Sequence, residues 1–502
     1  MTTSNSNNNK DEHAYYDAII IGAGISGVSA AYYLQKINPH LRYRILESRQ
    51  AMGGTWDLFQ YPGIRSDSDM YTFGFSFRPW RSKQELIIAD KADIMEYFMD
   101  TVHEYGIEKH VDFGRTVQAA AWDSHEANWT ITTTTTQQPG DKQAEIIYKA
   151  KYAFMCTGYY SYDEGYTPEY VNRQAFQGPF IHPQKWPQDL DYTNKKIVVI
   201  GSGATAVTLI PSLMKGPNAA SHVTMLQRSP TFMTMRPAKM VLLPRMIAKY
   251  FGHAATRWYY VLLSMFFYSL CKVFPDGMTK FFIGTVEKLI GSDKFHKEDW
   301  TPRYHPWDQR VCLCPDGDFF NTIREGKADV VTDHIVELTK EGVKTEKHGV
   351  LPADIIVSAT GLKVKFLGGM NFTVDGKPVV MENKFVYKGF MTNGVPNGFV
   401  AFGYTNASWT LKVDLTMSAA CNLIKLVETK GYRYCQPELP LPENEMEQMP
   451  LFDLTSTYIQ RVIDKLPKQS TSYPWRLYQN YLYDKFCLQY ASLEDKTMKF
   501  YK

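Results

Sequence analysis

The sequence predicts an α/β fold made of two parallel-sheet units, one inserted in the other. An apolar, β-branched run followed by closely spaced glycines and a helix-like pattern occurs near residue 20 and again near residue 200. A third observation is the strand-like stretch Ala353–Gly361, ADIIVSATG, which we interpret as the return of the chain to the first unit. Each glycine pattern, in this strand–turn–helix setting, is typical of a Rossmann-like, dinucleotide-binding unit.

The composition is that of a globular protein. Of the 502 residues, 44% are hydrophobic and 21% are charged, and the formal net charge of +3 is too small for a nucleic-acid-binding surface. The seven cysteines are scattered without a Cys-x-x-Cys pair, so we expect a reducing cytoplasm and no disulfide-reductase chemistry. We predict no metal ligands. The polar residues 1–13 lack the apolar core of a signal peptide and predict a disordered tail.

The first glycine turn begins the predicted first unit. Its glycines permit a tight turn and let a pyrophosphate approach the backbone at a helix N-terminus. The next predicted strand ends at Glu47, which follows Gly27 by 20 residues, where a carboxylate binds ribose hydroxyls. The candidate residues of this turn and strand are Gly22, Gly24, Ser26, Gly27 and Glu47.

The loop Gly53–Met70 follows the ribose-binding strand and favours FAD as the ligand of this first unit, although NAD could use the same turn. Its glycines, aromatic residue and acids suit a segment that wraps around the ribityl chain and the edge of the ring. The further candidate FAD-binding residues are Thr55, Trp56, Asp57, Leu58, Arg65, Ser66, Asp67 and Val117.

The second glycine turn, GSGATA, repeats the pattern with alanine in place of the third glycine, an allowed variant. The strand after it ends in Arg228 and Ser229 instead of an acid. A guanidinium binds a phosphate and a carboxylate would repel it, so this site predicts NADPH in preference to NADH. The candidate NADPH-binding residues are Ser202, Gly203, Ala204, Thr205, Ala206, Arg228 and Ser229.

The strands Tyr152–Tyr160 and Ala353–Gly361 are interpreted as the outbound and return crossings between the two units. Before the first of them, a threonine-rich strand and an alternating strand around Pro139–Gly140 predict a hairpin. The resulting division is a first FAD-binding part over 14–165, the linker and first NADPH-binding part over 166–230, a helical insertion over 231–300, a second NADPH-binding part over 301–360, and a second FAD-binding part with the C-terminal region over 361–502.

The longest uncharged apolar run, Trp258–Cys271, has 14 residues and is flanked by Arg257 and Lys272. It is shorter than the roughly 20 residues that a spanning helix needs. Two interpretations stay open: a buried helix, or a surface patch in peripheral contact with a membrane or with an apolar substrate.

The linker Phe176–Pro187, FQGPFIHPQKWP, contains a histidine and a tryptophan four residues apart. It matches the pattern F-x-G-x-x-x-H-x-x-x-W-P that lies just before the second glycine turn in class B flavoprotein monooxygenases, and the chain resembles their Baeyer–Villiger type. It is most similar to the ethionamide-activating and long-chain-alkane-type members. The stretches that carry this similarity include GGTWDLFQYPGIRSDSDM, CTGYYSYDEGY, YHPWDQRVCLCPDGDFF and GYTNASWTLKVD.

The resemblance implies a reaction. NADPH reduces FAD, a flavin C4a-peroxide forms with O2, and one oxygen atom is inserted beside a ketone carbonyl to give an ester or lactone. A permanent cation should stabilise the negative charge on oxygen. By resemblance Arg310 is this cation, Asp67 is its acidic partner, and His182 couples cofactor binding to domain movement. Some relatives have lysine where this chain has Gln309.

Other functions stay open. One alternative is oxygenation of sulfur or nitrogen in sulfides, thioamides or amines, and another is subterminal oxidation of long-chain alkane derivatives. A third, of a different class, is a non-catalytic cofactor-binding or membrane-associated protein. The partners that follow from the main interpretation are a small ketone or sulfide and O2.

Overall fold

The computed structural model describes residues 14–81, 85–135 and 144–502. The predicted tail, residues 1–13, and the predicted turn at Pro139–Gly140 lie outside the described residues. The strands are β1 (Ala14–Ile21), β2 (Tyr43–Leu46), β3 (Val111–Asp112), β4 (Arg115–Asp123), β5 (Asn128–Thr135), β6 (Glu145–Met155), β7 (Tyr160–Gly165), β8 (Phe180–Ile181), β9 (Lys196–Ile200), β10 (His222–Gln227), β11 (Met233–Arg236), β12 (Cys312–Pro315), β13 (Ala328–Thr332), β14 (Ile335–Thr339), β15 (Gly342–Thr345), β16 (Gly349–Pro352), β17 (Ile355–Ser358), β18 (Leu362–Val364), β19 (Asn371–Val374), β20 (Lys377–Pro378), β21 (Val386–Tyr387), β22 (Met391–Thr392), β23 (Gly398–Val400), β24 (Tyr434–Pro437), β25 (Met449–Pro450), β26 (Lys468–Gln469) and β27 (Met498–Tyr501).

The helices are α1 (Ile25–Ile37), α2 (Thr55–Leu58), α3 (Met70–Phe73), α4 (Lys91–Glu104), α5 (Ala204–Leu213), α6 (Leu242–Val273), α7 (Pro275–Ile290), α8 (Lys297–Trp300), α9 (Asp318–Arg324), α10 (Trp409–Thr429), α11 (Thr457–Gln460) and α12 (Tyr481–Lys485).

The first sheet contains the first glycine turn. Its order is β20-β19-β4-β5-β6-β1-β2-β3, and β23 also pairs with β6. Strands β6, β1, β2 and β3 run parallel, whereas β4, β5 and β6 are antiparallel neighbours. The pairing of β5 with β6 is the predicted hairpin. The apolar run of β1 is buried from Ala18 to Ile21, because helices or loops cover both faces of its parallel part.

The second sheet is a five-stranded, all-parallel sheet in the order β13-β10-β9-β17-β8. Strand β9 lies in the centre, and the second glycine turn follows it directly. All the strands of this sheet fall in sequence between β6 and β19 of the first sheet, so the second unit is inserted in the first. The predicted fold class is therefore confirmed, while the residue boundaries of the units stay predictions.

Two antiparallel strands connect the units. Strand β7 leaves the first unit and β18 returns to it, and they pair with Leu362 opposite Gly165. The sequence places these crossings near Tyr160 and Gly361, because each lies at the end of a buried strand. The antiparallel sheet β14-β15-β16, which extends the second unit, was not predicted.

The predicted insertion, residues 231–300, begins with strand β11 and continues with helices α6, α7 and α8. Helix α6 is broken at Gly252, whose φ is 78°, and it meets α7 at an angle of 111°. Within the described residues, no single helix has the length and apolar character needed to cross a bilayer; only the bent pair α6–α7 meets those two criteria when taken together.

Helix α6 packs on the first unit, whereas α7 packs against α9 and β11 of the second. Arg257 of α6 is buried and donates hydrogen bonds to the carbonyls of Tyr71 (2.5 Å) and Gly74 (2.7 Å). Its guanidinium also lies 3.8 Å from the carboxylate of Asp414 on α10. The insertion therefore bridges the two units, although it was predicted to belong to the second unit alone.

Candidate functional site

A cavity of about 630 Å³ lies at the carboxyl ends of the parallel strands of the first sheet and extends to the start of α5 in the second unit. This volume is within the range of about 300–1,000 Å³ that is typical of small-molecule and cofactor sites. The predicted site residues that line it are Gly22, Gly24, Ser26, Glu47, Thr55, Trp56, Arg65, Ser66, Asp67, Val117, Ala204, Thr205 and Arg310.

The first glycine turn forms one end of the cavity. Gly22 has φ 105°, and a Cβ there would lie 2.5 Å from the carbonyl oxygen of Cys156, so only glycine fits. Glu47, buried at the end of β2, accepts hydrogen bonds from the backbone N–H groups of Ala23 (2.8 Å) and Arg49 (2.9 Å). Its carboxylate thus fixes the turn and borders the cavity at the same time.

Arg310 also lines the cavity, two residues before β12. Within the described residues, it forms no hydrogen bond or ion pair with protein groups. Its surface opens into the cavity, while protein surrounds the rest of the side chain. Burial acts to lower the pKa of Arg310, but Tyr159, Tyr458, Tyr160 and Asp67 outweigh it and raise this pKa, so the side chain stays charged.

Asp67 lines the same cavity. Burial raises the pKa of its carboxyl group, and the positive charges of Arg310 and Arg65 oppose this rise. Arg65 is itself paired with Asp318 at 2.5 Å, which fixes the guanidinium at the cavity wall. Asp67 and Arg310 thus line one cavity, no direct ion pair joins them among the described residues, and their partnership stays a prediction.

The second glycine turn lies at the carboxyl end of β9. A Cβ on Gly201 would lie 2.3 Å from the carbonyl oxygen of Ala359, whereas the space in front of Gly203 is open. Helix α5 begins there without a side-chain cap, so its first N–H groups can bind an anion. Arg228 is exposed beyond the end of the neighbouring strand β10, and Ser202 donates a hydrogen bond to the carbonyl of Ser229 (3.1 Å).

His182 lies outside the cavity, between the two crossing strands. Its Nε2 is 3.0 Å from the carbonyl oxygen of Gly361, and its Nδ1 accepts a hydrogen bond from the backbone N–H of Gln184 (3.2 Å). The ring also packs so closely on Gly165 that a Cβ there would lie 1.9 Å from Cε1. Burial lowers the pKa of His182. The imidazole is therefore a neutral contact between the linker and both crossings.

Several predicted site residues do not line the cavity. Asp57 forms an ion pair with Arg49 at 2.6 Å, and Ala206 is buried in α5. The complete set outside the cavity is Gly27, Asp57, Leu58, His182, Ser202, Gly203, Ala206, Arg228 and Ser229.

Sequence comparisons place the chain among known enzymes. It is 45% identical over 491 residues to the "FAD-containing monooxygenase EthA" of Mycobacterium tuberculosis, a match that covers 97% of this chain and 98% of that protein. It is 42% identical to the "Probable FAD-binding monooxygenase AlmA" of Acinetobacter baylyi, with 97% and 96% covered. The chain belongs to this family of FAD-containing monooxygenases. The recognition made from the sequence is thereby confirmed.

Two family models match parts of the chain, and solved structures share its fold. Residues 1–104 match the Thi4 family, and residues 100–262 match the L-lysine 6-monooxygenase/L-ornithine 5-monooxygenase family. An oxidised steroid monooxygenase bound to NADP superposes with a TM-score of 0.75 at 18% identity, covering 97% of this chain and all (100%) of the other. An open structure of cyclohexanone monooxygenase gives a TM-score of 0.69 at 22% identity, with 86% and 91% covered. At these identities the structures support the fold.

The residues of this monooxygenase fit both expected cofactors. For FAD, the cavity combines the close backbone turn at Gly22, the carboxylate of Glu47 and the guanidinium of Arg49. For NADPH, the uncapped start of α5, the open space before Gly203 and the exposed Arg228 provide donors for phosphate groups. These donor sets are those that a dinucleotide needs.

Several residues of the cavity were not predicted from the sequence. Trp409 lines it and donates a hydrogen bond to Ser26 (3.0 Å), and its ring stacks on Tyr159 with a centroid separation of 5.3 Å. Tyr159 and Tyr160, whose hydroxyls are 2.9 Å apart, lie in the quoted stretch CTGYYSYDEGY, but no role was assigned to them. Tyr458 does not line the cavity but lies beside Tyr160, and it comes from the C-terminal region, for which the sequence offered no motif.

A second, smaller cavity of about 100 Å³ lies between α6 and residues 478–481. Val261, Met265 and Tyr268 of α6 form one side of it. Ala407 lines both this cavity and the large one, so the two are adjacent.

Proposed function

We propose that this monooxygenase uses FAD and NADPH to insert one atom of O2 beside a ketone carbonyl, giving an ester or lactone. The observation that carries this proposal is the free guanidinium of Arg310, which faces the cavity that bears the FAD-binding turn. The overall balance is ketone, O2, NADPH and a proton going to ester, NADP⁺ and water. When bound, the two cofactors supply the electrons and the activation of O2.

Arg310 stabilises the negative charge that develops on oxygen while a ketone carbonyl is attacked. A preorganised cation in a site sheltered from water is worth far more than one in water. Because its pKa is raised, Arg310 cannot act as a proton donor and serves as a fixed charge. The charges of Asp67 and of the ion pair Arg65–Asp318 surround Arg310 at fixed positions.

The tyrosines beside Arg310 shield it from water. Burial raises the pKa values of Tyr160 and Tyr458, so both phenols stay protonated and can donate hydrogen bonds. Together with Trp409 they keep bulk water away from Arg310. Shielding matters because water entry favours the loss of activated oxygen as hydrogen peroxide.

Each cofactor has its own set of binding residues in this proposal. The first turn and Glu47 hold the adenosine diphosphate part of FAD, and Arg49 and the loop Gly53–Met70 surround the remainder. The second turn and the start of α5 hold the pyrophosphate of NADPH, and Arg228 binds its 2′-phosphate. His182 transmits movement between the crossing strands and is not a reacting group.

The decisive experiment is product analysis with ¹⁸O₂, NADPH and matched ketones and sulfides. We expect one ¹⁸O atom in an ester from the ketone, with NADPH consumed in equal amount. Labelled sulfoxide without any labelled ester would favour the alternative, sulfur oxygenation. NADPH oxidation that yields only hydrogen peroxide from every substrate would overturn both.

We also propose that the small cavity receives the substrate. Its walls are largely apolar, and its shared residue Ala407 connects it with the large cavity. Met265→Trp would fill this space from α6. The variant should lose turnover of long-chain ketones far more than that of acetone, while NADPH-dependent reduction of FAD stays unchanged. Equal loss for all ketones would place the substrate elsewhere.

We further propose that the protein acts in the cytoplasm and that α6 and α7 contact a membrane surface from that side. Helix α6 has no acidic residue, and three of its four lysines and arginines, Arg245, Lys249 and Lys272, are exposed. Its buried side chains, such as Tyr260 and Val261, face the first unit, so the apolar run is divided between core and surface. The exposed apolar residues of the two helices are Leu242, Leu243, Met246, Tyr250, Phe251, Leu262, Leu263, Phe266, Val273 and Phe281.

An apolar face with a basic border is typical of helices that lie on anionic lipid. The double variant Leu262→Ser/Phe266→Ser should weaken sedimentation with phosphatidylglycerol vesicles by about tenfold and leave acetone turnover intact. Val171→Ser, which changes an apolar residue that is exposed on the second unit, is the matched control. Unchanged sedimentation of the double variant would exclude this surface.

A further inference from the structure

Arg461 lies next to the second glycine turn, although it comes from the C-terminal region. It follows α11, and its guanidinium carbon is 3.2 Å from the centroid of the Tyr166 ring. The N–H of Tyr166 donates to the carbonyl of Gly361 (3.0 Å), and its carbonyl accepts from Thr360 Oγ1 (2.7 Å). Arg461 is therefore held at the carboxyl end of β17.

Arg228 approaches from the opposite flank. It follows β10, and β10 and β17 are the two neighbours of β9, which leads into the glycine turn. Burial lowers the pKa of Arg461, Tyr166 opposes this, and the charge of Arg228 lowers the pKa further, as expected of two cations on the strands that flank β9.

In the part of the chain that the structure describes, no carboxylate pairs with either of these two charges. Among residues 14–81, 85–135 and 144–502, neither Arg228 nor Arg461 forms an ion pair, and both side chains are exposed. Two cations that flank a glycine turn and have no carboxylate partner form a site for a dianionic phosphate.

The segment before Arg461 is fastened to the protein, so its position is fixed. Thr455 donates two hydrogen bonds, from its N–H (3.0 Å) and its hydroxyl (3.1 Å), to the carbonyl of Asp308. Tyr458 packs on Tyr160 with ring centroids 6.3 Å apart. The spacing of three residues between each of these contacts orients one face of α11 toward the site.

We propose that Arg461 and Arg228 together bind the 2′-phosphate of NADPH, so that a C-terminal residue helps the enzyme to select NADPH over NADH. This inference rests on the proposed use of NADPH and adds a residue that the dinucleotide-binding motif does not contain. Stacking on Tyr166 presents the guanidinium plane edge-on to a phosphate, which allows two parallel hydrogen bonds.

The test is calorimetric binding of 2′,5′-ADP and of 5′-AMP to the FAD-loaded enzyme. Arg461→Gln should weaken 2′,5′-ADP about tenfold, the scale of one charged hydrogen bond, and should change 5′-AMP less than twofold. Arg461→Lys should recover part of the affinity, because it keeps the charge without the planar fork. Arg324→Gln, at an exposed arginine of α9, is the control and should change neither ligand.

The double variant Arg228→Gln/Arg461→Gln should lose less than the product of the two single effects, since both groups bind one phosphate. Equal weakening of both ligands by Arg461→Gln would overturn the 2′-phosphate assignment, and so would unchanged binding of 2′,5′-ADP. If the wild-type enzyme itself did not prefer 2′,5′-ADP to 5′-AMP, the use of NADPH would fail and Arg461 with it.

Discussion

Replacing Arg310 with methionine separates catalysis from folding in this enzyme. No protein acceptor among the described residues forms a hydrogen bond with the guanidinium, and the charge of Arg65 still acts on Asp67 when Arg310 is removed. We therefore expect the free energy of unfolding to change by less than about 1 kcal/mol. FAD should remain bound, because the contacts that fix the turn at Gly22 and Glu47 do not involve Arg310.

The expected loss of activity is large. Removing one preorganised electrostatic contact typically costs on the order of 10²–10³ in rate, which is about 2.7–4 kcal/mol of barrier. Arg310 is the charge around which the phenols of Tyr160 and Tyr458 and the carboxylate of Asp67 are arranged. We expect ester formation to fall by at least this factor while NADPH oxidation continues and hydrogen peroxide accumulates.

The assay measures ester by gas chromatography, NADPH by absorbance and hydrogen peroxide by a coupled peroxidase reaction, with FAD content and thermal unfolding as checks. Arg310→Lys should restore part of the rate, since lysine keeps the charge but not the planar fork. Arg324→Met is the matched control. Ester formation by Arg310→Met at the wild-type rate would refute the assignment.

Three further predictions concern the frame of the site. His182→Ala removes the contacts with Gly361 and Gln184 and should slow ketone-dependent turnover while FAD stays bound. Because the pKa of His182 is lowered, we expect no step from this residue in the pH–rate profile of the wild-type enzyme between about 6.5 and 8. Loss of FAD from the variant would show a folding role instead. Glu47→Gln should raise the Kd of FAD about tenfold in fluorescence titration, because one carboxylate oxygen that accepts a backbone N–H is replaced by a donor; an unchanged Kd would contradict its role. Arg257→Met should destabilise the fold by about 3–5 kcal/mol in urea unfolding, since it breaks a buried pair and leaves Asp414 uncompensated. Burial raises the pKa of Asp414 against the opposing charge of Arg257, so the folded state binds this proton more tightly than the unfolded state, and the deficit of the variant should be larger at pH 8 than at pH 5; a deficit independent of pH would contradict this origin.

The local parts of the fold could be predicted from the sequence. A glycine turn between a buried strand and a helix has few alternative structures, because Gly22 and Gly201 need a positive φ and a close backbone contact. The ends of the parallel strands could also be located, and Glu47 and Arg228 directly follow strands β2 and β10, as predicted. The inserted second unit followed from the order of these signals along the chain.

Contacts between distant segments could not be predicted. Arg65 pairs with Asp318, which is 253 residues away, and neither residue carries a local signal for the other. Tyr458 and Arg461 belong to a region without any motif. The apolar run in α6 was ambiguous for a different reason, because its buried face and its exposed face are both made of apolar residues. Arg257, which is buried just before this run, was assigned no partner from the sequence.

The site is assembled from segments that belong to different units, and this has a mechanical consequence. Asp67 and the FAD-binding turn come from the first unit, whereas Arg310 enters from the second. Their separation depends on the crossing strands β7 and β18, which His182 contacts at Gly165 and Gly361. A displacement of one unit against the other therefore moves Arg310 relative to the cavity without changing any residue inside it. Substitutions at the crossings should thus alter the rate of oxygen transfer while leaving the affinity for FAD intact. Substitutions in the first glycine turn, by contrast, should change the affinity for FAD.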